Sequence, residues 1–458
     1  MMWQGPVLLA CVLVAAAYSP RAQAADERQV THSPKNHNMD NNDNFSMDGK
    51  FLCYDTREMY GSGIENSRSV EKVEIATGKE TVLCEAKEFV NGAKAAPGIG
   101  AVSFSPIEDK IVCIHGPNLD EVPVRGYYAK TNRQGALVVA DGKSPDTWLD
   151  KRDVDTTRDT IPGAHRGGSH RHEFTLDGKR VGFTYDDFLL TQYERSIGYV
   201  ETNHPKAPKP ANAYFALLVP VVPTGTAKPG ELEHAAGDSW VGKHGLMRAF
   251  IGKVKEQDGT YTESLFVVDV PADVDITTAD SGSAKRFPTP PKGTKIRRLT
   301  HSAASGNVRG TVEGDRIAYF AKAADGSNQI FVIASDGSDQ DANPSKRPIQ
   351  ATHLPKGAGT LRWHPSGNSI VCESNGGVAS VCVKPGADFG KTVFLTPQGD
   401  GPARGNLVVS PDGKLLAYVK AVPTNDKNGK PVKTYSNADP TQIFVLPFPD
   451  ANGDGIAD

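Results

Sequence analysis

One short pattern returns along this chain and limits what it can fold into. Asn44-Phe45-Ser46-Met47-Asp48-Gly49-Lys50-Phe51-Leu52-Cys53-Tyr54 reappears as Glu173-Phe174-Thr175-Leu176-Asp177-Gly178-Lys179-Arg180-Val181-Gly182-Phe183 and as Val409-Ser410-Pro411-Asp412-Gly413-Lys414-Leu415-Leu416-Ala417-Tyr418. Looser copies begin at Ser103-Phe104-Ser105-Pro106, Gly314-Asp315-Arg316 and Trp363-His364-Pro365-Ser366-Gly367. Each reads as strand, tight turn, strand. One four-stranded sheet of this kind cannot bury both faces. A repeat of roughly 45 to 70 residues is therefore stable only where neighbouring sheets stack around a ring, as in a β-propeller. Six copies are clear, and residues 200–290 must hold another. The expectation is an all-β, seven-bladed β-propeller, with six or eight blades as alternatives. In that span, 205–223 reads as a long Pro-rich loop and 246–270 as a degenerate hairpin. Almost no segment shows helical periodicity of useful length.

The 458 residues are 38% hydrophobic, enough for a core and too many for wholesale disorder. Lys+Arg 51 against Asp+Glu 54 leaves a formal charge of -3, so no basic excess exists to hold a nucleic acid by counterion release. Residues 1–24 combine an apolar run over 7–17 with Ser19-Pro20 and Ala22-Gln23-Ala24, and read as a signal peptide cleaved after Ala24. No later run reaches the ~18 apolar residues that a membrane span needs. The expected product is secreted or periplasmic, a monomer with no membrane span, its propeller over 25–449 and an acidic tail over 450–458. That tail matches the first nine positions of a calcium loop but stops before the acid at position twelve, so it reads as a flexible terminus or a weak calcium site.

Export would put Cys53, Cys84, Cys113, Cys372 and Cys382 where disulfides form, and their number is odd. Cys372 and Cys382 flank the hairpin signal Asn375-Gly376-Gly377, which places them on neighbouring strands. A disulfide, a pair of buried thiols, or ligands with His244 of a structural divalent metal (zinc or calcium) all fit. Buried thiols are the commonest fate.

The repeats resemble the TolB-like and WD40-like propellers, a fold that hosts many functions. Irregular polar motifs are more specific. Asn36-His37-Asn38, Asn44-Phe45-Ser46, Asp55-Thr56-Arg57, Ile114-His115-Gly116-Pro117, Pro162-Gly163-Ala164-His165-Arg166-Gly167-Gly168-Ser169-His170-Arg171-His172 and Phe183-Thr184-Tyr185-Asp186-Asp187 resemble, in the same order, motifs of the YidR-type family of exported propellers. They are also similar to those of the seven-bladed propeller ulvan lyases, which cleave a uronate-containing algal polysaccharide by β-elimination. The resemblance implies an acidic polysaccharide as partner and a lyase chemistry that requires no cofactor.

Such a reaction needs a base for the C5 proton, a cation for the neighbouring carboxylate and an acid for the departing O4. His115 ends a strand and opens a Gly-Pro loop, a place for the base or for a solvated loop histidine. Tyr185 closes the next blade's strand and serves as the acid, or packs with a hydrogen-bonded tip. Arg195 stands where the lyases carry their neutralising arginine, whose planar fork matches a carboxylate; the alternative is a surface arginine. The relatives place a histidine in the segment 127–135, where this chain has none. Tyr128 or Arg133 then takes its part, or the protein binds without cleaving.

His170 and His172 are two apart on a strand and so should face one polar cavity with Arg166, as substrate-binding groups. Their spacing also resembles the metal-binding pair of propeller oligogalacturonate lyases, although the glutamine of that family is Gly167 here. Two readings follow: an exported lyase of an acidic, ulvan-like glycan, or a non-catalytic envelope propeller that binds glycan or protein in a biofilm setting.

Overall fold

The repeated turn is built the same way wherever it is spelled Ser/Thr-x-Asp-Gly-Lys. The hydroxyls of Ser46, Thr175 and Ser410 each donate to the carboxylate of Asp48, Asp177 and Asp412 at 2.7 Å. The same oxygens accept the backbone N–H of Lys50, Lys179 and Lys414 at 3.1 Å. The glycine between them is left-handed, with φ of 69°, 68° and 75°, which a side chain would resist. The Asp thus replaces a backbone acceptor inside the turn and sends the chain back antiparallel.

A computed structural model describes residues 27–39, 43–58, 63–144, 146–399, 401–434 and 436–448. The expected signal peptide (1–24) and acidic tail (450–458) lie outside the described residues. Seven antiparallel sheets follow one another along the chain and form a seven-bladed β-propeller. Blade 1 has Phe51–Asp55, Ser69–Glu74 and Glu80–Glu85, with bridges Asn38↔Asp55 and Phe45↔Leu52 marking its innermost segment. Blade 2 comprises Ile99–Phe104, Lys110–His115, Gln134–Val139 and Thr147–Trp148; blade 3, Gly168–Phe174, Arg180–Asp186, Ser196–Glu201 and Tyr214–Val219. Blade 4 comprises Leu232–Val241, Met247–Lys255, Tyr261–Asp269 and Lys295–Arg298; blade 5, Ser305–Gly310, Arg316–Lys322, Asn328–Ala334 and Ile349–Gln350. Blade 6 comprises Gly359–Trp363, Ser369–Ser374, Gly377–Cys382 and Thr392–Phe394; blade 7, Arg404–Val409, Leu415–Ala421, Thr441–Pro447 and, from the other end of the chain, Arg28–Gln29.

The seventh blade lies where the repeat is weakest, yet it is not degenerate. Blade 4 has strands of 10, 9 and 9 residues, and its second and third strands fall within 246–270. Nor is 205–223 only a loop, because Tyr214–Val219 inside it is the outer strand of blade 3. The turn between the first two strands of blade 4, Gly242-Lys243-His244-Gly245-Leu246, lacks the Ser/Thr-x-Asp-Gly-Lys spelling that marks blades 1, 3 and 7. The apolar layers lie between blades, the largest uniting Phe183, Tyr199 and Phe215 of blade 3 with Phe250 and Phe266 of blade 4.

The innermost strands of blades 2 to 7 share one irregularity. In each, the ladder to the second strand slips at a residue with positive φ: Ala101 (52°), Arg171 (59°), Gly237 (68°), Gly306 (74°), Thr360 (22°) and Asn406 (56°). These are β-bulges facing the axis, and each reorients the side chains on either side of it. Neighbouring blades hold them: Asp55 accepts the N–H of Ala101 at 2.7 Å, Asn38 accepts from Asn406 at 2.8 Å, and Arg171 donates to Asn307 at 2.6 Å.

The ring closes through the N-terminal strand. Arg28 and Gln29 pair with Val445 and Phe444, the Val30 N–H donates to Ile443 O at 2.8 Å, and the Thr31 hydroxyl accepts the Ile443 N–H at 2.8 Å. His37 adds an Nδ1 contact to Thr441 O at 2.8 Å, and Glu27 pairs with Arg404 at 3.0 Å. Val30 is only 2% exposed, so its burial alone contributes roughly 1.5–3 kcal/mol. A chain shortened to begin at His32 should therefore lose at least about 2 kcal/mol and several degrees of Tm, while Glu27→Gln costs under about 1 kcal/mol. Thermal unfolding of the two variants checks this.

Candidate functional site on the loop face

The second strand of blade 3 ends at Asp186, on the ring face that carries the long loops. Its buried carboxylate gathers cations from two directions. Arg195, at the start of the third strand, approaches with Nη2 at 3.1 Å and Nε at 3.2 Å. From blade 2, Arg133 places Nη2 at 3.8 Å and Lys130 places Nζ at 3.7 Å. Arg133 also donates from Nη1 to the Tyr128 hydroxyl at 3.2 Å. The Tyr128 ring packs on Ile64, Ala101 and Ile114, which fixes it over the edge of blade 2. Arg195 keeps 27% of its side chain exposed, and Nε and Nη2 of the buried Arg133 have no hydrogen-bond partner. Arg195 therefore has donor capacity open to an incoming anion, with the buried Arg133 guanidinium adding positive charge beneath it.

His170 stands beside them, its Nδ1 3.4 Å from the Thr184 hydroxyl. Burial, reinforced by the fields of Arg133, Arg195, Arg171 and Arg57, holds its pKa well below the usual imidazole range. It is thus a neutral imidazole at physiological pH. His234 enters from blade 4, adjacent to the Ala235 N–H that donates to Arg195 O at 2.9 Å. Its imidazole is likewise held low, chiefly by burial, with Glu194, Arg195, Glu263 and Asp186 around it. Neither Asp186 nor His234 stands out in the sequence: one is a motif residue among five, the other opens a strand that no turn signal marks.

Arg195, Arg133, Tyr128 and His170 are thus brought together. The other candidates are not. Tyr185 is 1% exposed and packs on Phe215, and its hydroxyl donates to Asp187 at 2.8 Å. Burial and the Asp187 charge push its phenol well above the ordinary range. It is the packing tyrosine with a bonded tip, because alternation along the strand turns Asp186 to the face and Tyr185 to the core. Arg166 is equally buried; it pairs with Asp187 and donates to the carbonyls of Ser283 and Arg286, pinning a loop instead of facing a cavity.

The expectation that His170 and His172 share a cavity with Arg166 fails at the bulge. Arg171, at φ 59°, breaks the alternation between them. His170 lines the axial channel, whereas His172 lies between blades with Nε2 3.0 Å from Ser169 Oγ and its ring on Phe183. Burial pulls its pKa down to about 4. An ion held jointly by this pair finds no site here, because the two imidazoles point into different surroundings.

His115 is buried at the end of its strand, with Nδ1 2.6 Å from Gly116 O and its ring edge-on to Trp148. It lies not against Asp186 but beside Cys84 and Asp146. The structural metal expected at Cys372, Cys382 and His244 is not assembled either. Cys372 faces Ala379 across the hairpin and Cys382 faces Ser369, both buried and outside any disulfide, while His244 pairs with Asp177 at 3.1 Å on a different blade. The hairpin register sets the two cysteines three residues out of opposition.

The axial channel is filled by two cavities of about 390 Å³ and 420 Å³ that meet at Arg362. The first is lined by His170, Arg171, Asn307 and Asn406, the second by Asp43, Arg309, Trp240 and Trp363. Burial and the nearby Glu173 charge push the Asp43 carboxyl up to about 7 against the pull of Arg309 and Arg362.

Seven blades, a bulged axial channel and an arginine-rich cluster on the loop face define a seven-bladed β-propeller with a polar, cationic candidate site. The chain belongs to the YidR family: it is 31% identical over 449 residues to "Uncharacterized protein YidR" of Escherichia coli (strain K12), covering 91% of this chain and 97% of that one. Residues 98–208, which include Tyr128, Arg133, His170, Asp186 and Arg195, match the family described as "Protein of unknown function (DUF3748)". Among solved structures, an oligogalacturonate lyase in complex with manganese is similar with a TM-score of 0.52 at 12% identity, over 95% of this chain and 96% of that one. U3-55K is similar with a TM-score of 0.50 at 11% identity, over 93% and 100%. At such identities the likeness is one of fold.

Two outcomes check this description. Tyr185→Phe removes a donor to a buried carboxylate that keeps Arg166 and the N–H groups of Leu189 and Leu190, so it should cost about 1 kcal/mol in denaturant unfolding. Asp43 binds its proton more tightly folded than unfolded, so its contribution to stability is present at low pH and lost as pH rises from about 4 to about 7. Asp43→Asn should accordingly gain on the parent between pH 5 and pH 8 in paired thermal scans.

Proposed function

We propose that this protein is an exported polysaccharide lyase that cleaves an acidic, uronate-containing glycan by β-elimination on the loop face. The observation that carries the reading is the convergence of Arg195 and Arg133 on Asp186, with the Tyr128 hydroxyl and the neutral His170 beside them. In this reading the sugar carboxylate takes the open donors of Arg195, which Asp186 holds in place, and the charge developing there is stabilised by both guanidiniums. His170 takes the C5 proton. The C5–H electron pair becomes the C4=C5 double bond, the C4–O4 bond breaks, and Tyr128 delivers a proton to O4. No cofactor is needed for these steps. The roles of base and acid thus pass from His115 and Tyr185, which lie elsewhere, to groups that share the cluster. A uronate polymer fits the oligogalacturonate lyase likeness in kind, and the folded chain acts as a monomer.

The burial of Tyr185 and the separate position of His115 favour a second reading, in which a YidR-type propeller binds such a glycan at the cell envelope without cutting it. Incubation with a panel of uronate polysaccharides separates the two, since elimination leaves an ultraviolet-absorbing unsaturated end. His170→Gln and Tyr128→Phe should each lower its release by roughly 10² or more with Tm little changed. Arg195→Lys keeps the charge but loses the fork, and should lower turnover more than stability. A parent protein that retains the glycan but releases no unsaturated sugar from any member of the panel is the binder.

A further inference from the structure

Blade 1 offers its outer strand to blade 2 at a place where three unlike side chains meet. Cys84 belongs to Glu80–Glu85, His115 is the last residue of Lys110–His115, and Asp146 lies in the segment leading to Thr147–Trp148. A sulfur, an imidazole nitrogen and a carboxylate oxygen from these three residues all lie within 4.8 Å of one another. We propose that they are the protein ligands of a zinc ion at the rim between blades 1 and 2.

The imidazole is already oriented for this. Its Nδ1 sits 2.6 Å from the Gly116 carbonyl, which can only accept, so Nδ1 carries the proton and Nε2 presents its lone pair. That arrangement, with one ring nitrogen bonded to a carbonyl and the other free, is how metal-bound histidines are held in place. The edge-on contact with Trp148, 5.6 Å between ring centres and 89° between planes, fixes the ring further. Zinc takes Cys sulfur at ~2.3 Å and His nitrogen or carboxylate oxygen at ~2.0–2.2 Å, so ligand atoms within this spread need only small side-chain rotations to close on one ion.

Chemistry selects the metal. A thiolate with an imidazole suits zinc, whereas calcium and manganese favour all-oxygen sets. Asp146 is exposed and Cys84 half-buried, which gives the ion an entry path and leaves its fourth position to water. The ion would tie the outer strand of blade 1, a sheet of three regular strands, to its neighbour. None of this depends on the lyase reading.

The test uses the purified protein stripped with a chelator and reloaded with Zn²⁺ or Co²⁺ alone. The expected result is about one zinc per chain by elemental analysis, a Tm raised by several degrees on reloading, and a sulfur-to-cobalt charge-transfer band in the Co²⁺ form. Cys84→Ser should abolish the band and weaken zinc binding by at least roughly 100-fold, and Asp146→Asn, a substitution on an exposed side chain, by roughly 10-fold. Cys372→Ser should leave both unchanged. Failure of the parent to retain zinc overturns the proposal, as does a zinc content and cobalt band that survive Cys84→Ser.

Discussion

Everything this ring presents at its axis depends on a bulge placed at the same step of the innermost strand in blades 2 to 7. An unbroken inner strand would send alternate side chains to the two neighbouring blades. A residue in the left-handed region turns the strand about its own axis, so that one more group faces the channel. Three of the six positions are filled by Ala, Arg and Thr, for which positive φ is costly. The surrounding polar contacts offset that cost. Asp55 holds the Ala101 bulge while its buried partner Arg57 satisfies its remaining charge, which explains the Asp55-Thr56-Arg57 motif as a structural device and not a catalytic one.

The same device decides the chemistry of the loop face. Because Arg171 interrupts the strand, His170 joins the cluster around Asp186 and His172 is committed to packing. Because the second strand is regular at its end, Asp186 emerges to gather Arg195 and Arg133 while Tyr185 is folded inward onto Asp187. Two neighbouring acids thus have opposite duties. Asp187 and Arg166 satisfy each other in the core, and Asp186 organises cations of which Arg195 stays partly exposed.

Closure supplies the other condition. Propeller blades bury their faces only against neighbours, so the first and last must meet. Here the N-terminal strand pairs into blade 7, and Asn36, His37 and Asn38 fasten blade 1 to Thr441 and Asn406. The Asn36-His37-Asn38 motif is accordingly a latch of the ring.

The sequence by itself determined the architecture, because an Asp-Gly turn with its Ser or Thr partner is a local structure whose hydrogen bonds lie within five residues. Three such turns and three looser copies spell six blades, and the seventh was legible only as a gap of the right length, since Gly242-Lys243-His244-Gly245-Leu246 between its first two strands departs from that spelling. Four residues singled out in the sequence, Arg195, Arg133, Tyr128 and His170, lie in one region around Asp186. Their partners were not legible there. Asp186, His234 and the grouping of His115 with Cys84 and Asp146 join elements from different blades, and no local pattern encodes such a distance. Side-chain direction was the second thing only the tertiary structure decided. A period of two predicts one face for His170 and His172, but the bulge between them is held by contacts to other blades, and those form only when the ring is closed.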